Sequence, residues 1–226
     1  AFVGVGCGIM DQFASALGRR DHALRIDCRS QAVTHVPLPR DRVRILIVHS
    51  GVRRALAQGG YVERRDACRA AAAEARAAGM PVDALRDLGE GDLPALERIL
   101  APVLLRRARH VIRENARVER FCADLAAGDL AACGARLREG MRSLREDFEV
   151  STPELDALCE LGDAQPGVYG SRLTGAGFGG CTLHLVEAQA VETAAAGIAG
   201  GFEARFGRRP PVWVTAASDG AEALAP

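Results

Sequence analysis

Apolar and polar positions along the chain change period several times, and each change predicts an element. Ile9 to Leu17 repeats apolar residues at helical spacing and stops at Gly18, a common helix terminator. His22–Cys28 and Gln31–Leu38 read as two strands joined by a tight polar turn. Val43–His49 (V-R-I-L-I-V-H) is an apolar, β-branched run and predicts a buried strand. Tyr61–Ala78 is rich in Ala and Arg, with Gly79 and Pro81 behind it, and predicts a helix. Helical periodicity then runs from Leu93 to Asp129, placing Leu104, Val111, Ile112, Val118, Phe121 and Leu125 on one face. Leu130–Leu144 continues as helix. Ser151 or Thr152 caps a further helix, with Pro153 near its first position. Cys181–Val186 predicts a strand, Ala188–Phe206 a helix and Val212–Ala216 a closing strand. Strands at both ends with helices between predict an α+β fold.

Composition narrows the class of protein. The 226 residues suffice for one generous domain, or one domain plus part of another. Apolar residues make up 48% and charged residues 26%, enough for a core and unlike a disordered tail. A formal net charge of +0 does not favour nucleic acid or an anionic membrane surface as a partner. No apolar stretch is long enough to span a bilayer, and no signal peptide is visible. The seven cysteines are odd in number and none forms a C-x-x-C pair, which argues against disulfides and a zinc knuckle and predicts a reducing, cytoplasmic setting. The first residues, Ala1-Phe2-Val3, lack Met and run straight into a glycine loop, so residues are expected upstream.

Three segments carry candidate chemistry. In Gly6-Cys7-Gly8-Ile9-Met10-Asp11-Gln12 a glycine loop enters a helix and places a carboxylate in its first turn. Free N–H groups and the dipole there favour an anion, and an ionised carboxylate at a cleft can accept a proton from a substrate hydroxyl. The plainer reading of Asp11 is an ordinary helix-start acid. In Gly170-Ser171-Arg172-Leu173-Thr174-Gly175-Ala176-Gly177-Phe178-Gly179-Gly180-Cys181, glycines permit close backbone approach or an anion nest. The Gly-Lys-Ser/Thr ending of a Walker loop is absent, and the run precedes a strand where a dinucleotide fingerprint follows one. The third segment, His49-Ser50-Gly51-Val52-Arg53-Arg54 followed by Tyr61-Val62-Glu63-Arg64-Arg65-Asp66-Ala67-Cys68, lies at a strand end and a helix start. At least one of Arg64 and Arg65 is expected on a solvated face, and Tyr61 can equally be a half-buried anchor.

In this order the segments resemble the galactokinases of the GHMP sugar-kinase family. Gly8–Gln12, His22-Ala23-Leu24 and Ile26–Ser30 are similar to a galactokinase stretch. So are Tyr61 with Arg64-Arg65 and Cys68, Arg107-Ala108 with His110-Val111, and Phe148–Ser151 with Pro153–Asp156. Ser171–Cys181 resembles the family's third glycine motif, and Val214-Thr215 with Asp219-Gly220-Ala221 its C-terminal end. One departure is Glu139-Gly140-Met141-Arg142-Ser143-Leu144, where the family has Ser-His after the Glu; a helix-interior Gly costs up to about 1 kcal/mol against Ala.

The resemblance implies ATP-dependent phosphorylation of the anomeric hydroxyl of α-D-galactose, assisted by Mg²⁺. It implies Asp11 as the catalytic carboxylate, Gly8 and Tyr61 as sugar contacts, and Arg53 near the phosphates, with Gly175, Ala176 and Gly177 packed beside the phosphate loop. No metal ligand is carried over. It implies residues 1–38 as the trailing part of an N-terminal, ribosomal S5 domain 2-like lobe, and residues 39–226 as the GHMP C-terminal domain. It implies a monomer when intact, with galactose and ATP as its partners. The family's Gly-Arg-x-Asn, Gly-Glu-His and Gly-Leu-Ser-Ser-Ser motifs do not occur, so activity is not expected from this chain alone. Alternatives are a sugar-1-kinase for N-acetylgalactosamine, arabinose or glucuronate, a galactose-sensing regulator, and the bare domain of a broken gene.

Overall fold

A computed structural model describes residues 8–53 and 59–221. The elements in chain order are α1 (Met10–Leu17), β1 (His22–Ile26), β2 (Val33–Pro37), β3 (Val43–His49), α2 (Gly60–Ala77), α3 (Leu93–Ile99), α4 (Pro102–Ala126), α5 (Leu130–Glu146), α6 (Pro153–Asp163), β4 (Val168–Thr174), β5 (Cys181–Glu187), α7 (Val191–Phe206) and β6 (Val212–Thr215). Two 3₁₀ turns, Leu85–Asp87 and Glu90–Asp92, lie before α3. The mixture of sheet and segregated helices is α+β, as expected.

β1 and β2 form a separate antiparallel hairpin. The other strands make a four-stranded antiparallel sheet in the order β4-β5-β3-β6. Because strand side chains alternate, both faces of this sheet can be buried against different partners. Leu46, Val48 and Val186 pack on Leu158 of α6 and on Ala194, Ile198 and Phe202 of α7. Val43 and Leu185 point the other way, onto Leu125, Leu130, Cys133 and Leu137 of α4 and α5 and onto Val36 and Leu38. A separate helical core joins Ala71, Ala72 and Ala75 of α2 to Leu93, Leu96, Ala108 and Ile112.

The expected long helix from Leu93 to Asp129 is two helices. Ala101 precedes Pro102 and is held out of the α region at ψ 150°, so the chain turns there. Nor do its apolar positions share one buried face. Ile112 and Leu125 are buried in different cores, while Val118 is 43% exposed. β4 has no counterpart in the sequence reading, because its polar Ser171 and Arg172 resemble loop. Ser171 is nevertheless fully buried, with its hydroxyl 2.8 Å from His184 Nδ1; the other ring nitrogen lies 2.8 Å from Thr182 Oγ1. α5 and β4 touch backbone to backbone: a Cβ on Gly134 would sit 1.8 Å from the Tyr169 carbonyl oxygen.

Candidate active site

Thr174, the last residue of β4, leads into the glycine turn. Gly175, Gly177, Gly179 and Gly180 all have positive φ, and so does Phe178 at 58°. Two of these glycines are required by close approach. A Cβ on Gly177 would meet the Val150 carbonyl oxygen at 2.3 Å, and one on Gly179 would meet that of Val52 at 2.6 Å. The turn is pinned on both sides. Phe178 N–H donates to Val150 O (2.6 Å), Gly180 N–H to Val52 O (3.1 Å), and Ser50 N–H to Gly180 O (2.8 Å). Gly175 and Ala176, at the tip, are exposed.

Phe178 then couples this turn to α2. Its ring lies where a Cβ on Gly60 would be, 2.8 Å away, and the Arg64 guanidinium sits 5.7 Å from its centroid. Of this pair, at least one of which is expected on a solvated face, Arg64 is buried and Arg65 is half-buried and pairs with Asp66. Arg64 donates from Nε to Phe148 O (2.5 Å) and from its terminal nitrogen to Glu149 O (2.9 Å). Glu149 is itself left-handed, at φ 54°, and its carboxylate takes Arg106 and Arg107. The Arg107 hydrogen bond holds that carboxyl below its ordinary range. His110 stacks on Phe148 at 4.3 Å and lies 3.0 Å from Ser143 Oγ. Burial pushes its pKa down to about 4.

The segments containing Tyr61, Arg107, Phe148 and Phe178 are therefore one assembly. Tyr61, in the first turn of α2, remains 44% exposed next to Gly60 and the glycine turn. Arg53 follows Val52, which anchors the same turn, and is exposed. Gly6, Cys7 and Arg54 lie outside the described residues.

Asp11 stands on a separate element, α1, and Gly8 lies just before it. Asp11 is in the first turn of α1, exposed and without a hydrogen-bond or ion-pair partner among the described residues. α1 buries none of its residues. Its C-terminal end is held by β2, through His35 Nε2 donating to Leu17 O (2.8 Å), and by residues 217–221. By sequence, Asp219-Gly220-Ala221 stand out only through their resemblance to the family's C-terminal end. The two glycines that make the contact, Gly18 and Gly220, were the available signal.

The departure at Gly140 also has a local reason. Gly140 is buried, and a Cβ there would approach the Arg172 guanidinium at 3.1 Å, where Arg172 pairs with Glu114 (2.6 Å). Among the described residues, no group of three or more His, Cys, Asp or Glu could hold a metal ion. No described helix is long and apolar enough to cross a membrane.

Residues 121–203 match the family model described as GHMP kinases C terminal. The chain therefore carries the C-terminal domain of the GHMP kinases. A mevalonate kinase from L. major solved with R-mevalonate shares that fold at a TM-score of 0.52 and 15% identity, covering 89% of this chain and 50% of that one.

Within the class, the sequence relatives are galactokinases. Those of Roseiflexus sp. (strain RS-1) and Homo sapiens are 45% and 44% identical, over 97% and 99% of this chain and 56% and 55% of their own lengths. The Lactococcus lactis galactokinase solved with galactose superposes with a TM-score of 0.92 at 32% identity, covering 99% of this chain and 57% of that one. The chain thus spans about half the length of the curated relatives it matches.

Proposed function

We propose that these residues are the C-terminal half of a galactokinase, which transfers the γ-phosphoryl group of ATP to the anomeric hydroxyl of α-D-galactose and yields galactose 1-phosphate. The observation that supports this most is that Phe178, in the glycine turn with the exposed Gly175-Ala176 tip, packs against Gly60 beside the exposed Tyr61. In this reading residues 1–38 are the trailing part of the first lobe and residues 39–226 the second. Gly8 and Tyr61 contact the sugar, and Arg53 lies near the phosphates, with Gly175–Gly177 packing beside the phosphate loop.

Asp11 orients the C1 hydroxyl and accepts its proton as the oxygen attacks the γ-phosphorus in line, while the bond from that phosphorus to the bridging oxygen breaks and ADP leaves. Positioning and charge stabilisation supply most of the rate in such transfers. Mg²⁺, when bound, would supply charge neutralisation on the phosphoryl group, and among the described residues no group of three or more His, Cys, Asp or Glu could hold it. The intact enzyme acts as a cytoplasmic monomer on galactose and ATP.

Orientation is worth about 7–11 kcal/mol of barrier in well-positioned reactions. A chain without the Gly-Glu-His and Gly-Leu-Ser-Ser-Ser motifs forfeits most of it. These 226 residues alone are expected to make no galactose 1-phosphate, and the chain joined to those motifs to make it. In the joined protein, Asp11→Asn should abolish turnover while sugar binding, read by calorimetry, persists. Normal turnover of that variant removes Asp11 from the role. Preference for another sugar, or sugar binding by the joined protein without turnover, favours a different sugar kinase or a sensor.

A further inference from the structure

α1 is an exposed helix with no buried residue, so packing alone does not hold it. Like every helix, it ends in carbonyls without intrahelical partners. Three of these are satisfied from distant parts of the chain. Ala221 N–H donates to Ser15 O (2.6 Å), Gly220 N–H to Gly18 O (2.9 Å), and His35 to Leu17 O (2.8 Å). Asp21 N–H donates back to Ala217 O (3.3 Å). Asp219 closes the contact: its carboxylate accepts from the Arg20 amide (2.8 Å) and from Arg20 Nε (3.1 Å). The backbones lie so close that a Cβ on Gly220 would meet the Ala16 and Ser15 carbonyls at 2.9 Å, and one on Gly18 would meet the Ser218 oxygen at 3.2 Å. Ser15 lies one helical turn beyond Asp11.

We infer that residues 217–221 are a strap that positions the Asp11 helix, with Asp219 and Gly220 as its positioning residues. The catalytic consequence rests on the galactokinase reading; the restraint of α1 does not. Asp219 touches no reacting atom in this scheme. It acts through Arg20 and the helix end.

Two variants test the strap in the chain itself: Asp219→Ala, and a stop codon after Ala216, which keeps β6 and removes the rest. Amide exchange of residues 14–17 should accelerate about tenfold or more in both, while amides of β3 and α7 stay within about twofold. Unchanged exchange in α1 overturns the inference. In the joined, galactokinase-length protein, Asp219→Ala should lower kcat about tenfold with the KM for ATP nearly unchanged, because α1 misplaces the carboxylate without touching the nucleotide. Asp219→Asn keeps an acceptor for the Arg20 amide and should recover most of that loss. A loosened α1 with normal kcat overturns the positioning role. An inactive wild-type joined protein counts against the proposed function, and the exchange result then decides the strap by itself.

Discussion

Removing the Arg64 side chain tests whether the glycine turn and α2 form one mechanical unit. Arg64→Ala deletes two hydrogen bonds to the carbonyls of Phe148 and Glu149 and the stacking on Phe178. A buried acceptor left without a partner costs about 1–3 kcal/mol. Glu149 lies near the surface and its carbonyl can recruit water, so the two acceptors together cost about 2 kcal/mol. The cation–π contact adds about 0.5–1 kcal/mol. The expected loss is about 3 kcal/mol, which moves the urea midpoint down by about 1.5 M for a slope of about 2 kcal/mol/M. Far-UV circular dichroism is the better probe, because the single Trp, Trp213, is 52% exposed. Arg64→Lys keeps the charge but loses the planar fork, reaches one carbonyl, and should recover about half. A loss below about 1 kcal/mol in Arg64→Ala, or no difference between the two variants, refutes the coupling.

Gly134→Ala drives a methyl into the Tyr169 carbonyl and should cost at least about 3 kcal/mol in a thermal or urea melt. Gly200→Ala, in α7 with nothing within 4 Å of its Cβ, should instead stabilise by about 0.5–1 kcal/mol. His110 is held neutral, with its pKa lowered to about 4 by burial, so the unfolded chain binds the extra proton between that value and about 6.5. Stability is therefore complete above pH 6.5 and falls as pH drops toward 4, by up to about 3 kcal/mol from this group. A urea series at several pH values should show this slope, and His110→Asn should reduce it, leaving the part due to buried His184, whose pKa burial also lowers, to about 3. Among the cysteines, exposed Cys28 should react with a thiol reagent in the native state. Buried Cys133, whose pKa burial pushes up to about 11, and Cys159 should react only on unfolding.

Much of this fold was legible wherever one local signal sufficed. The V-R-I-L-I-V-H run is β3, Gly18 ends α1, and Thr152 caps α6 by accepting from Leu155 N–H. Misreadings arose where tertiary partners override local pattern. β4 carries Gly170, Ser171 and Arg172, which look like loop, yet Ser171 is buried because its hydroxyl finds a hydrogen-bond partner in His184 Nδ1. α4 keeps one period but changes neighbours halfway, so Val118 faces solvent. The candidate site divides in the same way. Gly175–Gly177 and Tyr61 are conspicuous as residue types. Their coupling through Phe178 and Arg64 depends on contacts between segments far apart in sequence, which no local window contains.

The strand order β4-β5-β3-β6 also sets a timetable for synthesis. β3 is made early but has no sheet neighbour until Cys181–Glu187 and Val212–Thr215 emerge. Before then the helical core from Ala71 to Ile112 and the β1–β2 hairpin, both built from nearby residues, can consolidate on the ribosome. Apart from the one from His35, the hydrogen bonds from other segments at the end of α1 come from residues 220 and 221, some 200 residues downstream. The helix carrying Asp11 is thus among the earliest described elements translated and among the last to be fastened.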